Sequence, residues 1–147
     1  MKKIISAFLF LTMSALGAVA QDKGTVKIDT TQVPVVVKTT FNSTFPNSSN
    51  VEWKKKNSNY AVSFTMNDIA HHAKLDSTGK IIMRGKVIPI SELPAAVTTA
   101  VQKDYPDYKI SKVFAVMEND ITSYKISFDR MGDQKVVYDA NGTRLKE

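Results

Sequence analysis

Two histidines, His71 and His72, are the only imidazoles in the chain, and cysteine is absent, so metal or nucleophile chemistry would have to be built around that pair. Consecutive residues of a strand point to opposite faces, and adjacent strand histidines cannot readily close on one metal ion. No two histidines stand one helical turn apart, the spacing a zinc metalloprotease needs. Serines are plentiful, but none lies in a nucleophile elbow, and a Ser-His-Asp relay has little support from two histidines on a strand. The six glycines are scattered and form no phosphate-cradling loop. Asp76-x-x-Gly79 and Asp139-x-x-Gly142 carry too few carboxylates for a calcium loop and read as hairpin turns. Asn42-Ser43-Thr44, Asn47-Ser48-Ser49 and Asn141-Gly142-Thr143 match the N-glycosylation acceptor pattern, which matters only in a eukaryotic host. Trp53, Tyr60 and Tyr124 could form a recognition platform. They share strand parity with Val51, Val62, Phe64, Ile126 and Phe128, which makes core the better reading. The expectation is a protein without catalytic residues, metal or cofactor.

The elements that carry these residues occur twice. Val33, Val37, Phe41 and Phe45 are answered later in the chain, in the same order and spacing, by Leu93, Val97, Val101 and Tyr105, and Pro34 and Pro46 by Pro94 and Pro106. Tyr60-x-Val62-x-Phe64 returns as Tyr124-x-Ile126-x-Phe128, and Asp76-x-x-Gly79 as Asp139-x-x-Gly142. A repeat in this order dictates architecture more firmly than any single motif. Apolar residues at every fourth position make one helical stripe. Proline disfavours helical geometry in the residue before it, so the helices should end at Phe45 and Tyr105. Thr31 or Gln32 and, better, Ser91 are the expected N-caps, with Pro34 and Pro94 in the first turn.

After each helix the period drops to two. Val51 to Lys56 and Tyr60 to Thr65 form a hairpin about Asn57-Ser58-Asn59, and Ile69 to Asp76 and Lys80 to Ile88 follow as strands. Lys109 to Met117, Ile121 to Asp129 and Lys135 to Asp139 repeat the plan, with Glu118-Asn119-Asp120 as the turn. Helices burying one stripe and strands burying one face give an α+β fold: a tandem duplication of a helix plus antiparallel hairpin or meander, the helices packed on one face of a shared antiparallel sheet. The expected division is a signal peptide over 1–20, a flexible mature N-terminus over 21–32, and one domain over 33–147 with repeats at 33–90 and 91–147.

The signal reading rests on Lys2 and Lys3, the apolar run Ile4 to Leu16 and the small residues Ala18-Val19-Ala20. That apolar run is too short for a bilayer span, which takes roughly 20 residues. No cysteine follows the cleavage site to carry a lipid. A periplasmic or secreted protein is expected, without a membrane span after cleavage. What remains is long enough for one compact domain. Loss of Lys2 and Lys3 takes the formal charge from +6 to +4, and this modest excess is spread along the chain, which favours solubility over nucleic-acid binding.

The pattern Val33-Pro34, Phe45-Pro46, Val51-x-Trp53, Tyr60-x-Val62-x-Phe64, Asp76-x-x-Gly79, with its second copy, resembles the PepSY-like family of exported bacterial proteins over about Val33 to Leu145. That family is similar in repeat architecture to β-lactamase inhibitor protein, which grips its enzyme with the open face of a curved sheet. The resemblance implies an exported, non-enzymatic protein. The chain departs from the inhibitor in lacking cysteine, and no inhibitory loop matches residue by residue, so the activity does not carry over.

Alternation places Lys54, Lys56, Ser63, His72, Lys74, Lys125, Ser127 and Lys135 on the sheet face away from the core. Two functions compete for that face. One is an interaction module, inhibitor-like, for an unknown protein. The other is a periplasmic binder of a small ligand or anionic envelope polymer, with Arg84 and Lys86 joining the lysines. In either case a monomer is expected.

Overall fold

The computed structural model describes residues 24–146; the expected signal peptide lies outside them. In chain order the elements are β1 (Thr25–Ile28), a 3-10 turn (Thr30–Gln32), α1 (Val35–Thr44), β2 (Ser49–Lys56), β3 (Asn59–Met66), β4 (Ile69–Leu75) and β5 (Ile81–Ile88). A second 3-10 turn (Ile90–Glu92), α2 (Ala95–Asp104), β6 (Ile110–Glu118), β7 (Ile121–Phe128), β8 (Lys135–Asp139) and β9 (Arg144–Leu145) follow. The strands form one antiparallel sheet in sequence order, each paired with the next. The expected α+β architecture, two helices on one face of a shared sheet, is what the chain adopts.

The entry to each helix differs from expectation. Pro34 and Pro94 precede the helices as extended residues, with ψ of 145° and 142°, and their carbonyls accept from the amides of Lys38 at 3.1 Å and Thr98 at 3.0 Å. Because the residue before a proline must be extended, the preceding turn cannot run on into the helix. Thr31 and Gln32 therefore sit in the first 3-10 turn, capped by Asp29: the Asp29 carboxylate accepts the Thr31 amide at 2.8 Å, and the Gln32 side chain accepts the Asp29 amide at 2.9 Å. Ser91 lies in the second such turn and caps nothing. The exits follow the proline argument: Phe45 and Tyr105 have left helical geometry, and their amides donate to the carbonyls of Phe41 and Val101 at 2.9 and 2.8 Å.

The stretch 21–32, expected to be a flexible lead-in, is structured from Thr25 onward. β1 pairs with β2, placing Lys27 opposite Lys54 and Ile28 opposite Trp53. This strand changes where the repeat begins. Ile28 and the first 3-10 turn are answered by Ile88 and the second, so the later half of β5 opens the second unit as β1 opens the first. The earlier half of β5 pairs behind the Asp76 turn as β9 pairs behind the Asp139 turn. One strand thus closes the first unit and opens the second, with a register shift where Leu75 meets Ile81. The expected boundary at 90/91 falls after this strand, because β1 is too short for its alternation to stand out.

The helix stripes build two separate cores. Val37 and Phe41 pack over Trp53, Val62, Phe64 and Leu75, with Phe41 ring centroids 5.2 Å from Trp53 and 5.0 Å from Phe64 in edge-on geometry. α1 is rich in β-branched residues and intrinsically weak, so this aromatic cluster has to hold it in place. Val97 and Val101 pack over Val113, Ile126, Phe128, Val136 and Tyr138. Tyr138 replaces the Leu75 of the first unit and donates its hydroxyl to Asp104 at 2.7 Å, fastening the end of α2 to β8. Trp53 and Tyr60 are buried and Tyr124 is half-buried against the second core, as parity indicated.

The two hairpin turns are built alike. Asp76 accepts the amides of Thr78 and Lys80 at 2.9 and 3.0 Å, and Asp139 those of Asn141 and Thr143 at 2.9 and 2.8 Å. Gly79 and Gly142 then take φ of +87° and +81° and abut the first turns of α1 and α2. A Cβ at Gly142 would lie 2.5 Å from the Ala96 carbonyl oxygen, and one at Gly79 2.9 Å from Thr40 Oγ1. The Asp-x-x-Gly motif is therefore a helix rest as well as a turn.

Candidate functional site

Cross-strand register decides which side chains share a face, because directly paired residues point the same way. Lys27, Lys54, Ala61, Lys74, Met83 and Glu118 form one row on the face opposite the helices, and Glu52, Ser63, His72, Gly85 and Val116 the next. Phe114, Lys125 and Val137 form a third, and Lys112, Ser127 and Lys135 a fourth. All eight residues expected on the open face stand on it. Lys56 lies at one end, opposite Thr25 and Asn59.

At the centre, Ser63 Oγ and His72 Nδ1 are hydrogen-bonded at 2.9 Å, and the His72 ring packs on Phe114 with centroids 4.8 Å apart. β4 and β6 flank β5, two strand spacings apart, which is roughly 10 Å in a regular sheet. The rings meet because β5 contributes Gly85 beneath them, in register with His72. A Cβ there would also come within 3.0 Å of the Ala115 carbonyl and 3.2 Å of Val116 Cγ2. A lone glycine within a strand pattern marks such a close approach, and Phe114 stands out of parity with the core. Those two signals in the sequence could have located the centre of the face.

Burial holds the His72 pKa below its usual value, and Lys135, Lys54 and Lys125 lower it further. Lys135 stands four strands from His72, roughly 19 Å away in a flat sheet. A charge so far away is largely screened, so burial is the main cause of the shift. His72, Ser63, Lys54, Lys125 and Lys135 share this face, and of them Ser63 and His72 are in direct contact. Lys74 is drawn aside to Glu118 at 3.8 Å, and Lys27 reaches Glu52 at 2.8 Å. Both carboxylates share the face and temper its charge.

Arg84 and Lys86 do not join it. Register sets them opposite Ala73 and His71, on the helix-bearing face, because the register shift at Leu75 reverses the parity expected for β5. His71 stacks on Phe64 on that side, with centroids 5.3 Å apart, and burial lowers its pKa also. The histidines thus part across the sheet, and no group of three or more His, Asp or Glu residues that could hold a metal occurs among the described residues. The Ser63–His72 contact has the look of a nucleophile and its base. Catalysis would also need an acid orienting the imidazole and amides free to hold an oxyanion. Here the ring rests on Phe114, and Ser63 and His72 lie in a ladder running unbroken from Tyr60–Leu75 to Met66–Ile69.

The duplicated helix, hairpin and Asp-x-x-Gly turn, set on one sheet, are what a family model recognises, and it matches residues 21–83 and 79–146. The chain belongs to the beta-lactamase-inhibitor-like, PepSY-like family. The two matches overlap over residues 79–83, the end of the Asp76 turn and the first residues of β5, the strand that serves both units. Solved structures share the fold. A protein described as periplasmic from Bacteroides eggerthii superposes with a TM-score of 0.68 at 18% identity, over 78% of this chain and 86% of its own. A DUF2874-family protein from Bacteroides uniformis gives 0.65 at 18% identity, over 77% and 86%. A BLIP-like protein from Bacteroides fragilis gives 0.58 at 18% identity, over 76% and 82%. Comparison with curated proteins finds no match. None of the helices among the described residues is long and apolar enough to cross a membrane.

Proposed function

We propose that this PepSY-like protein is a non-enzymatic binding protein of the cell envelope, and that its open sheet face holds an acidic protein partner. The observation that carries the reading is the construction of that face: an aromatic centre at His72 and Phe114, with Lys54, Lys125 and Lys135 on the same side of the sheet. Interfaces concentrate their energy in a buried aromatic anchor, while surrounding charges guide encounter and orientation. The described periplasmic setting of the relatives supports an envelope location, and the BLIP-like fold supports interaction over catalysis. An anionic small ligand or envelope polymer is the second reading, favoured only by the charge.

The test is capture of partners from periplasmic extract by three proteins: wild type, Phe114→Ala, and the triple variant Lys54→Glu, Lys125→Glu, Lys135→Glu. Lys54 and Lys135 are exposed and Phe114 and Lys125 half-buried, so circular dichroism checks that each variant is folded. One acidic protein should be lost by the triple variant and strongly weakened by Phe114→Ala. Charge attraction alone is screened beyond ~8 Å at physiological salt. Capture that disappears with salt and ignores Phe114 would therefore favour the polymer. Equal capture by all three proteins would remove the open face from consideration.

A further inference from the structure

The other face of the sheet carries a second feature. α1 covers β2 to β4 and α2 covers β6 to β8, leaving the middle of the helix-bearing side uncovered. A cavity of about 290 Å³ lies there, with Phe45 at the end of α1 on one side, Ala115 and Met117 of β6 on the other, and Arg84 and Lys86 of β5 between. No acidic side chain lines it. Arg84 Nη2 rests 3.6 Å from the Met117 sulfur, a weak acceptor, and neither Arg84 nor Lys86 makes an ion pair among the described residues.

We infer that this cleft binds a free aliphatic carboxylate, its chain lying along Phe45, Ala115 and Met117 and its anionic end held by Arg84 and Lys86. The apolar walls suit an apolar body, and two cations with no carboxylate partner leave their charge free to pair with an anion. The volume is at the small end for ligand pockets, which start at ~300 Å³, so one short chain fits where a folded partner does not. An extended peptide is disfavoured because β5 and β6 are interior strands, each paired on both sides, with no free edge for strand addition. The site is separate from the open face, so its failure would leave the proposed partner site standing.

Calorimetric titration of the purified protein with decanoate, below its micelle concentration, tests this inference. Saturable one-to-one binding is expected, with decanol at least tenfold weaker and acetate silent. Shortening decanoate to octanoate should weaken binding about fourfold per methylene, equivalent to about 0.8 kcal/mol each. The double variant Arg84→Gln, Lys86→Gln, both exposed positions, should lose at least tenfold, whereas Lys54→Glu with Lys125→Glu should bind decanoate as wild type does. Absence of saturable decanoate binding, equal affinity for decanol, indifference to the Arg84 and Lys86 changes, or loss on changing the open face would each overturn the inference. The ligand series decides the matter even if the double variant proves unstable.

Discussion

His72 shows how much a single residue depends on what lies beneath it. Adjacent strand positions put His71 and His72 on opposite faces, and that much was legible from alternation. The Phe114 contact was not, because it needs β4 and β6 brought together over Gly85, a tertiary fact with only an indirect mark in the sequence. Both histidines have pKa values lowered by burial first and neighbouring cations second. The folded protein therefore binds protons less readily than the unfolded chain, whose histidines titrate near 6.5. Stability should be level above that pH and fall as pH drops through it towards the lowered folded values. The carboxylates with lowered values, Asp29, Glu52 and Asp76, add their own losses only in the more acidic range below about 4.5. Urea unfolding at pH 7.5 and 5.5 should give a lower midpoint at 5.5, and His72→Gln should narrow the difference. An undiminished difference in both His72→Gln and His71→Gln would show that neither histidine causes it.

At the scale of elements, the two Asp-x-x-Gly turns offer a matched comparison. Each was readable as a turn from residue type alone. That each also props a helix was not, since contact between residues far apart in the chain leaves no periodicity to read. The helix entries were misplaced for a related reason, since each proline both favours a helix start and forbids its neighbour from joining it. Gly142→Ala forces a left-handed alanine against the Ala96 carbonyl, a backbone atom that cannot swing away. It should cost roughly 2–4 kcal/mol. Gly79→Ala meets first the Thr40 hydroxyl, which can rotate, and should cost less. Thermal denaturation of the two variants checks the order. Equal or reversed losses would mean that helix contact is not what fixes these glycines.

For the whole molecule, the repeat and the shared sheet were legible because duplication multiplies weak signals. The joint between the units was not, because a four-residue β1 and a two-residue β9 are too short to show alternation. Since β5 belongs to both units, neither can open without exposing the other, and unfolding should be a single cooperative transition by calorimetry and by circular dichroism. Two separated transitions, or a stable fragment 91–147, would show that the units are independent. A strand held in common also makes the fold additive. β9 occupies the place in the second unit that β5 occupies in the first, and β1 is the strand that an incoming unit would supply. Were β9 as long as β5, one molecule could present its last strand to the first strand of another, and head-to-tail growth of this kind need not close into a ring. In β9 only Arg144 and Leu145 pair with β8, so the outermost strand of the sheet offers two residues on which a second chain could register.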